Sequence, residues 1–168
     1  MGFVNDTVTS ILIQLSAMTA TVGTWTMTVT SHIWTWNKTA GADTSVLKVP
    51  LNFVGNGAKL KGGYLKSIDI WWINATADVT DMAVEIYQST LPAQAGTLTT
   101  ALQASTYDSA HDTAAKRKTQ AQHQMTISLT TPIWVDQAAE VYMELTCTAA
   151  ATSAVKLQGV RANYTLRL

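Results

Sequence analysis

Charged side chains are scarce in this sequence of 168 residues: Asp, Glu, Lys and Arg together make up 13%, about half of the usual quarter. Eleven basic and eleven acidic residues cancel to a net charge of zero. No long-range field draws the chain to nucleic acid or to an anionic membrane, and we expect neither as a partner. Zero net charge also removes the repulsion between copies, which favours a protein that works as an assembly.

Cysteine and targeting signals are equally sparse. The single cysteine, Cys147, excludes an internal disulfide and stands on the apolar phase of a strand pattern, so we expect it in the core. The N-terminal stretch has no basic segment before its apolar run, and Gln14 and Ser16 interrupt that run. We therefore predict neither a secretory signal nor a membrane-spanning segment.

Threonine is abundant, at roughly one position in six. It is β-branched and favours extended backbone. Apolar residues alternate with polar ones in most of the chain, as in His123 to Leu129 and Val141 to Cys147. About eight to ten such segments follow one another at short spacing. The sequence therefore predicts a single domain over residues 1–168, an all-β antiparallel sandwich that is jelly-roll-like, with at most one short N-terminal helix.

The alternation changes phase at two places. Large residues occupy odd positions up to Val29 and even positions from Trp34, which indicates a turn at residues 31–32 between two short strands. Near the C-terminus the phase reverses at Gly159, where a glycine can accommodate a β-bulge. In the segment from Val46 to Val54, Pro50 lacks a backbone donor and suggests the edge of a sheet.

The N-terminal segment, residues 1–23, allows two interpretations. Its apolar residues recur at spacings of three and four, with Asp6 as a possible N-cap and Gly23 as a stop, which predicts a short amphipathic helix. Alternation of Ile11, Ile13 and Leu15, together with many threonines, instead favours a strand or arm. The helix is the preferred interpretation, and residues 24–168 then form the sandwich.

Six tryptophans pose the main functional question of the sequence. Trp25 is predicted to face inward, whereas the adjacent Trp71 and Trp72 must point to opposite faces of one strand. We expect the surplus apolar surface to lie between subunits, and the candidate interface residues are Trp34, Trp36, Trp71, Ile73, Ile11 and Leu15. The alternative is a sugar-binding platform, because exposed indoles on a β face can stack against pyranose rings.

The segment from Leu91 to Gln122 is irregular and mostly polar, and we predict a long exposed excursion. Its "YDSAHD" stretch holds the residue types of a hydrolytic triad but not a triad arrangement. The basic triplet Lys116 to Lys118 is predicted to be a solvated loop. Two groups of side chains could be considered for metal binding, and neither has the spacing of a ligand motif. The first is Asp108, His111, Asp112 and His123, and the second is Asn74, Asp78 and Asp81. We therefore predict no catalytic residue, no cofactor and no metal.

The C-terminal half, from "YDSAHD" through "HQMTISLTTPIWV" and "AEVYMELTCTAAATSA" to "LQGVRANYTLRL", resembles small β-sandwich structural proteins of tailed-phage virions. The resemblance implies a jelly-roll-like subunit that is made in the host cytoplasm and assembles symmetrically, commonly as a trimer, on a capsid or at a fibre tip. It carries over no site residues.

Three functions follow for testing. The first is a non-enzymatic capsid decoration protein that self-associates, with the major capsid protein or another virion protein as its partner. The chain is short for a major capsid protein, and it lacks the basic arm that would neutralise a genome, which favours the outer surface. The second is a fibre head or carbohydrate-binding module that uses a Trp-rich face. The third is a small hydrolase, for which the sequence offers almost nothing.

Overall fold

A computed structural model of the chain describes residues 6–30, 32–51, 63–90, 92, 96–135 and 139–167. Within these ranges lie a single 3-10 turn, Leu15–Ala17, a single short α-helix, α1 (Ala114–Lys118), and twelve strands. The strands are β1 (Asp6–Leu12), β2 (Thr19–Val22), β3 (Trp25–Thr30), β4 (Ile33–Lys38), β5 (Thr44–Pro50), β6 (Gly63–Asn74), β7 (Asp81–Thr90), β8 (Thr99–Leu102), β9 (Ser105–Tyr107), β10 (Gln122–Val135), β11 (Ala139–Thr148) and β12 (Val155–Arg167).

The strands form two antiparallel sheets. The first has the order β3-β4-β12-β6-β10-β9, with β1 also paired to β12, and the second has the order β2-β5-β11-β7-β8. Two four-stranded blocks, β4-β12-β6-β10 and β5-β11-β7-β8, face each other, and the chain passes from one to the other at nearly every connection. This is the strand order of a jelly roll. The predicted antiparallel, jelly-roll-like sandwich is confirmed.

The core lies between the sheets and is built by alternate residues of the long central strands. On β10 the inward-pointing residues are His123, Met125, Ile127 and Leu129, whereas the residues between them are exposed or half-buried. Each fully buried large apolar side chain stabilises the fold by about 1.5–3 kcal/mol. Cys147 is completely buried, as predicted, and burial raises the pKa of its thiol to about 12, which keeps it protonated and unreactive.

Both predicted changes of phase are confirmed. β3 and β4 form a hairpin whose last pair is Thr30 and Ile33, and His32 in the connection adopts a left-handed backbone with φ of 68°. On β12 the register against β6 shifts between Leu157 and Gly159, so that Val160 continues the inward-facing row. Trp25 is also buried, as predicted.

The preferred N-terminal helix is wrong. β1 lies along β12, β2 lies along β5, and only the single 3-10 turn separates them. The apolar spacing was compatible with both states, and the outcome is decided by pairing: each strand hydrogen-bonds a sheet edge that would otherwise stay open. β-branched threonines in both strands add to the preference for extended backbone.

Two further predictions need correction. β5 is not an edge strand, because β2 covers it over Val46 to Lys48, although Pro50 lies beyond that pairing. Residues 52–54 of the predicted segment lie outside the described ranges. The predicted exposed excursion contains β8, β9 and α1, and it contributes two buried polar side chains, His111 and Arg117. The Arg117 guanidinium donates to the carbonyls of Met82 and His111, so the basic triplet is not simply solvated. No helix within the described ranges is long and apolar enough to cross a membrane.

Candidate functional site

The β3–β4 hairpin carries one apolar face out of the sandwich. β12 pairs with β4 only from Val155 to Leu157, and the rest of the hairpin continues past that contact. Exposure rises along the apolar face: Trp25 is 5% exposed, Met27 39%, Val29 49% and Trp34 53%. The same face therefore begins in the core and ends in solvent.

The opposite face of the hairpin is polar and internally hydrogen-bonded. The amide of Asn37 donates to the hydroxyl of Thr28, and the hydroxyls of Thr28 and Thr35 lie 3.4 Å apart. Thr26 reaches the carbonyl of Asn37. The polar groups of this face thus satisfy one another, although Thr35 is buried and Ile33 is exposed on it, whereas no residue that the structure describes covers the outer half of the apolar face.

An open pocket of about 360 Å³ lies between the hairpin and the segment that follows β1. The indole N–H of Trp36 donates to the carbonyl of Leu15 at 2.8 Å, which ties that segment to the hairpin. We call this cavity the hairpin pocket. Its lining residues are Leu12, Ile13, Gln14, Leu15, Ser16, Met27, Trp34, Gln158 and Gly159.

The lining of the hairpin pocket is uncharged. Gln14, Ser16 and Gln158 are its polar side chains, and none of the three makes a side-chain hydrogen bond within the part of the chain that the structure describes. The pocket therefore offers an apolar wall, one indole and unused amide and hydroxyl groups. It suits an uncharged group of moderate size and would disfavour a charged one, whose desolvation nothing in the lining offsets.

The six candidate interface residues fall into two groups. Trp34 and Leu15 meet at the hairpin pocket, and Trp36 and Ile11 lie close by, although Ile11, Leu15 and Trp36 also pack against the core of their own chain. The second group, Trp71 and Ile73, lies half-buried on the outer face of the first sheet. The second group approaches the hairpin pocket at Gly159. A Cβ at that position would lie 3.7 Å from the Trp71 ring and 3.9 Å from Leu12, which lines the pocket.

Sequence reasoning missed the exposed apolar residues Leu12, Met27 and Val29. Leu12 was assigned to a helix, whereas on β1 it faces outward and is 68% exposed. Met27 and Val29 share the phase of Trp25, which the sequence predicts to face inward, yet both are exposed. The length of the hairpin beyond β12, which decides their exposure, has no signal in the local pattern.

The outer face of the first sheet is held by a polar network centred on Asp69. Its carboxylate accepts hydrogen bonds from Arg161, Asn163 and Thr126 at 2.7–3.0 Å. Burial alone would raise the pKa of Asp69, but the hydrogen bonds from Asn163, Thr126 and Arg161 outweigh it and hold the pKa below its usual range. The network fixes the Arg161 guanidinium 5.3 Å from the ring centre of Trp71.

The residues of "YDSAHD" do not assemble a nucleophile and base. Asp108 contacts Nδ1 of His111 at 2.8 Å, but Nε2 of that imidazole faces His123, and Ser109 is exposed. Asp78 accepts the backbone N–H of Gln120 instead of lying in a ligand cluster. Among the residues whose positions are described, no group of three or more His, Cys, Asp and Glu side chains could hold a metal ion.

No protein-family model matches the chain, and no curated protein sequence matches it. Three solved structures are similar at low identity. The enzymatically active domain of tailspike protein 4 from bacteriophage CBA120 is 8% identical, with a TM-score of 0.42 over 88% of this chain and 19% of that one. TmCBM61 in complex with β-1,4-galactotriose is 9% identical, with a TM-score of 0.35 over 96% and 88% of the two chains.

The third structure comes from carbohydrate-binding modules of the β-sandwich superfamily with promiscuous specificity. It is 9% identical, with a TM-score of 0.37 over 95% of this chain and 57% of that one. This chain thus spans about a fifth of the tailspike chain and somewhat over half of the third one. At such identity the likeness concerns architecture alone, and the order of strands in the two sheets already establishes that architecture.

Proposed function

We propose that the chain is a non-enzymatic virion structural protein, a capsid decoration protein whose copies associate through the hairpin face and bind the capsid surface. The observation that carries this proposal is the exposure of Leu12, Met27, Val29 and Trp34 around an uncharged pocket. Contiguous exposed apolar surface of this kind commonly marks a site of protein association. A pocket within such a surface can receive an apolar anchor from the partner.

A second copy of the chain is the partner that these features favour. Among the described strands β3 is the outermost of its sheet, and its sequence "WTMTVT" contains neither proline nor charge, the devices that usually protect an edge from pairing. The backbone groups of that edge and the apolar face beside it can be buried together. Zero net charge leaves no long-range repulsion to oppose the approach of copies.

A closed trimer is the assembly we propose. In a ring, each copy presents one surface to the next and a different surface to the previous one, so the hairpin face of each subunit is covered by its neighbour. A standard interface buries roughly 800 Å² on each partner. Jelly rolls are frequent in viral capsid proteins and lectins, an analogy of fold that agrees with the resemblance of the C-terminal half to phage structural proteins.

Besides further copies of itself, a capsid decoration protein needs a partner in the virion. We propose that the assembled protein contacts the major capsid protein or another virion protein and is assembled in the host cytoplasm. The neighbouring genes test this part cheaply. Capsid, portal and protease genes beside its own support decoration of a capsid, whereas baseplate or fibre genes contradict it.

Self-association is tested by sedimentation velocity at micromolar concentration. Val29→Lys places a charge on the apolar face, and Thr131→Lys places the same charge at an exposed position of β10, away from the hairpin. We expect the wild type and Thr131→Lys to sediment as the same oligomer and Val29→Lys to sediment as a monomer. A wild type that is monomeric throughout contradicts the proposal.

A carbohydrate-binding module or fibre head is the second candidate, and the hairpin pocket favours it too. The Trp34 indole could stack against a pyranose ring while the free amides of Gln14 and Gln158 bind its hydroxyls. A glycan array followed by calorimetric titration tests this. Trp34→Ala should abolish binding and Trp71→Ala, on the other face, should preserve it; an array without hits contradicts the idea.

A further inference from the structure

Two buried histidines lie side by side at one end of the sandwich. His111 belongs to the connection between β9 and α1, and His123 lies near the start of β10. Nε2 of His111 and Nδ1 of His123 are 3.3 Å apart. The His123 ring stacks on the indole of Trp72, with 4.6 Å between ring centres and an interplanar angle of 11°.

The pair forms the middle of a chain of three hydrogen bonds. At one end, Nδ1 of His111 lies 2.8 Å from Oδ1 of Asp108. At the other end, Nε2 of His123 lies 2.9 Å from the carbonyl oxygen of Thr119. The chain therefore links the beginning of the Asp108–Thr119 segment to its end, through a strand of the first sheet.

Asp108 is an acceptor in this chain. Its carboxylate also accepts the backbone N–H groups of Thr126 at 2.7 Å and Ala110 at 3.0 Å. Burial alone would raise the pKa of Asp108, but the hydrogen bonds from Thr126 and His111 outweigh it and hold the pKa below its usual range. The carboxyl is therefore ionised near neutral pH and cannot donate to His111.

A count of protons gives the charge of the pair. The carboxylate and the carbonyl at the two ends only accept, so Nδ1 of His111 and Nε2 of His123 must each carry a proton. The central contact needs a third proton on one of the two facing nitrogens. Two neutral imidazoles hold only two protons, so the complete chain requires one imidazolium.

The surroundings of the pair contain few other charges. Asp108 is the carboxylate in contact with it, and the Trp72 ring face can stabilise a cation. From α1, Arg117 donates to the carbonyl of His111 and lies over the titratable ring of Tyr107 on β9, which opposes a positive charge nearby. Lys116 and Asp112 pair with each other at the exposed surface.

We propose that the His111–His123 pair is a proton-dependent latch that holds the Asp108–Thr119 segment, including α1, against the end of the sandwich. With the third proton bound, all three hydrogen bonds form. When that proton leaves to solvent, two nitrogen lone pairs face each other and one hydrogen bond is lost. Above the ordinary histidine pKa of about 6.5, where freed imidazoles are neutral, rising pH therefore loosens this segment and uncovers the end of the core at Trp72.

Hydrogen exchange and imidazole ¹⁵N NMR on the full chain test the latch between about pH 6.5 and 9, the range in which freed imidazoles are neutral. The reporters are the backbone N–H groups of His111 and Arg117, which bond within the segment. Because opening in this range releases one proton, their protection, corrected for intrinsic exchange, should fall by up to about tenfold per pH unit while the closed pair keeps its proton, and should level off once that proton is lost. The NMR spectrum should show one shared third proton at the acidic end.

Two variants sharpen the test. The double variant His111→Gln with His123→Gln keeps amide donors and acceptors between Asp108 and Thr119 but has no imidazole to take up the third proton, so protection of the segment should no longer vary with pH. His32→Asn is the matched control, because His32 is exposed and asparagine tolerates its left-handed backbone; it should behave as the wild type. Two neutral imidazoles at the acidic end of the wild-type titration, or protection that stays constant with pH, would overturn the proposal without need of any variant.

Discussion

The ammonium nitrogen of Lys38 lies 2.6 Å from Oδ1 of Asp43, and the lysine side chain is completely buried while the aspartate stays partly exposed. The carbonyls of Thr39 and Gly41 accept the other ammonium protons at 2.9 and 3.2 Å. The hydrogen bond from Lys38 holds the pKa of Asp43 below its usual range. A cation is thus buried inside the turn between β4 and β5, with the Asp43 carboxylate as its counter-charge.

Asp43→Asn should destabilise the fold more than Lys38→Met. The first change leaves a buried ammonium without a counter-charge, whereas the second removes the buried charge, keeps a similar volume and lets Asp43 hydrate. Urea unfolding of both variants measures the difference in the free energy of unfolding. A larger loss in Lys38→Met would show that the ion pair itself, and not the isolated cation, dominates.

The same pair predicts a response to acid. Because the pKa of Asp43 is lowered on folding, its contribution is complete above the ordinary value of 3.8 and is lost as the pH falls through the folded-state pKa. The wild type should therefore lose stability more steeply than Asp43→Asn below that ordinary value. Thermal unfolding in a series of acidic buffers measures the two slopes, and parallel slopes would refute the assignment.

Trp36→Phe should lower the free energy of unfolding by about 1 kcal/mol, since it removes the indole N–H that donates to the carbonyl of Leu15. It should also loosen the wall of the hairpin pocket. Trp34→Phe is the matched control on the same strand: Trp34 is half exposed, and we expect a change within about 0.5 kcal/mol. Equal losses in the two variants would mean that the hydrogen bond is not responsible.

Gly23→Ala should be strongly destabilising. Gly23 has φ of +76°, and a Cβ there would lie 2.0 Å from Oγ of Ser45 and 2.9 Å from its Cα, so rotation of the serine cannot relieve the clash. The left-handed backbone alone costs about 1–2 kcal/mol for a residue with a side chain. At Gly41, an added Cβ meets Oδ1 of Asp43 at 3.1 Å and Nζ of Lys38 at 4.0 Å, both side-chain atoms, and Gly41→Ala should cost less in the same unfolding experiment.

Local sequence patterns predict those features of the fold that depend on residues close together in the chain. Alternation in β10 and β11 and the phase change at Gly159 depend on neighbouring residues, so the sandwich and its bulge could be read directly. The N-terminal segment could not, because its apolar spacing fitted two states and the open edge of β12 decided between them.

The candidate site was predicted only in part. The sequence indicates both Trp34 and Leu15 as candidate interface residues, and the fold brings them together at the hairpin pocket. The pocket itself depends on how far the hairpin extends past β12 and on the path of the chain after Leu12, which are tertiary properties. The contact between His111 and His123 was equally hidden, since a segment with few apolar residues gave no sign that two of its polar side chains would be buried.

One edge of β12 is divided between two neighbours. β4 occupies Val155 to Leu157 and β1 occupies Arg161 to Arg167, so neither strand pairs with Gln158 and Gly159 where the hairpin pocket opens. Lengthening either neighbour by a residue pair would close the cavity, and shortening it would widen the opening, while the buried rows of β12 stayed as they are. Insertions and deletions at these two strand ends therefore give evolution, or an engineer, a way to resize the recess without repacking the interior.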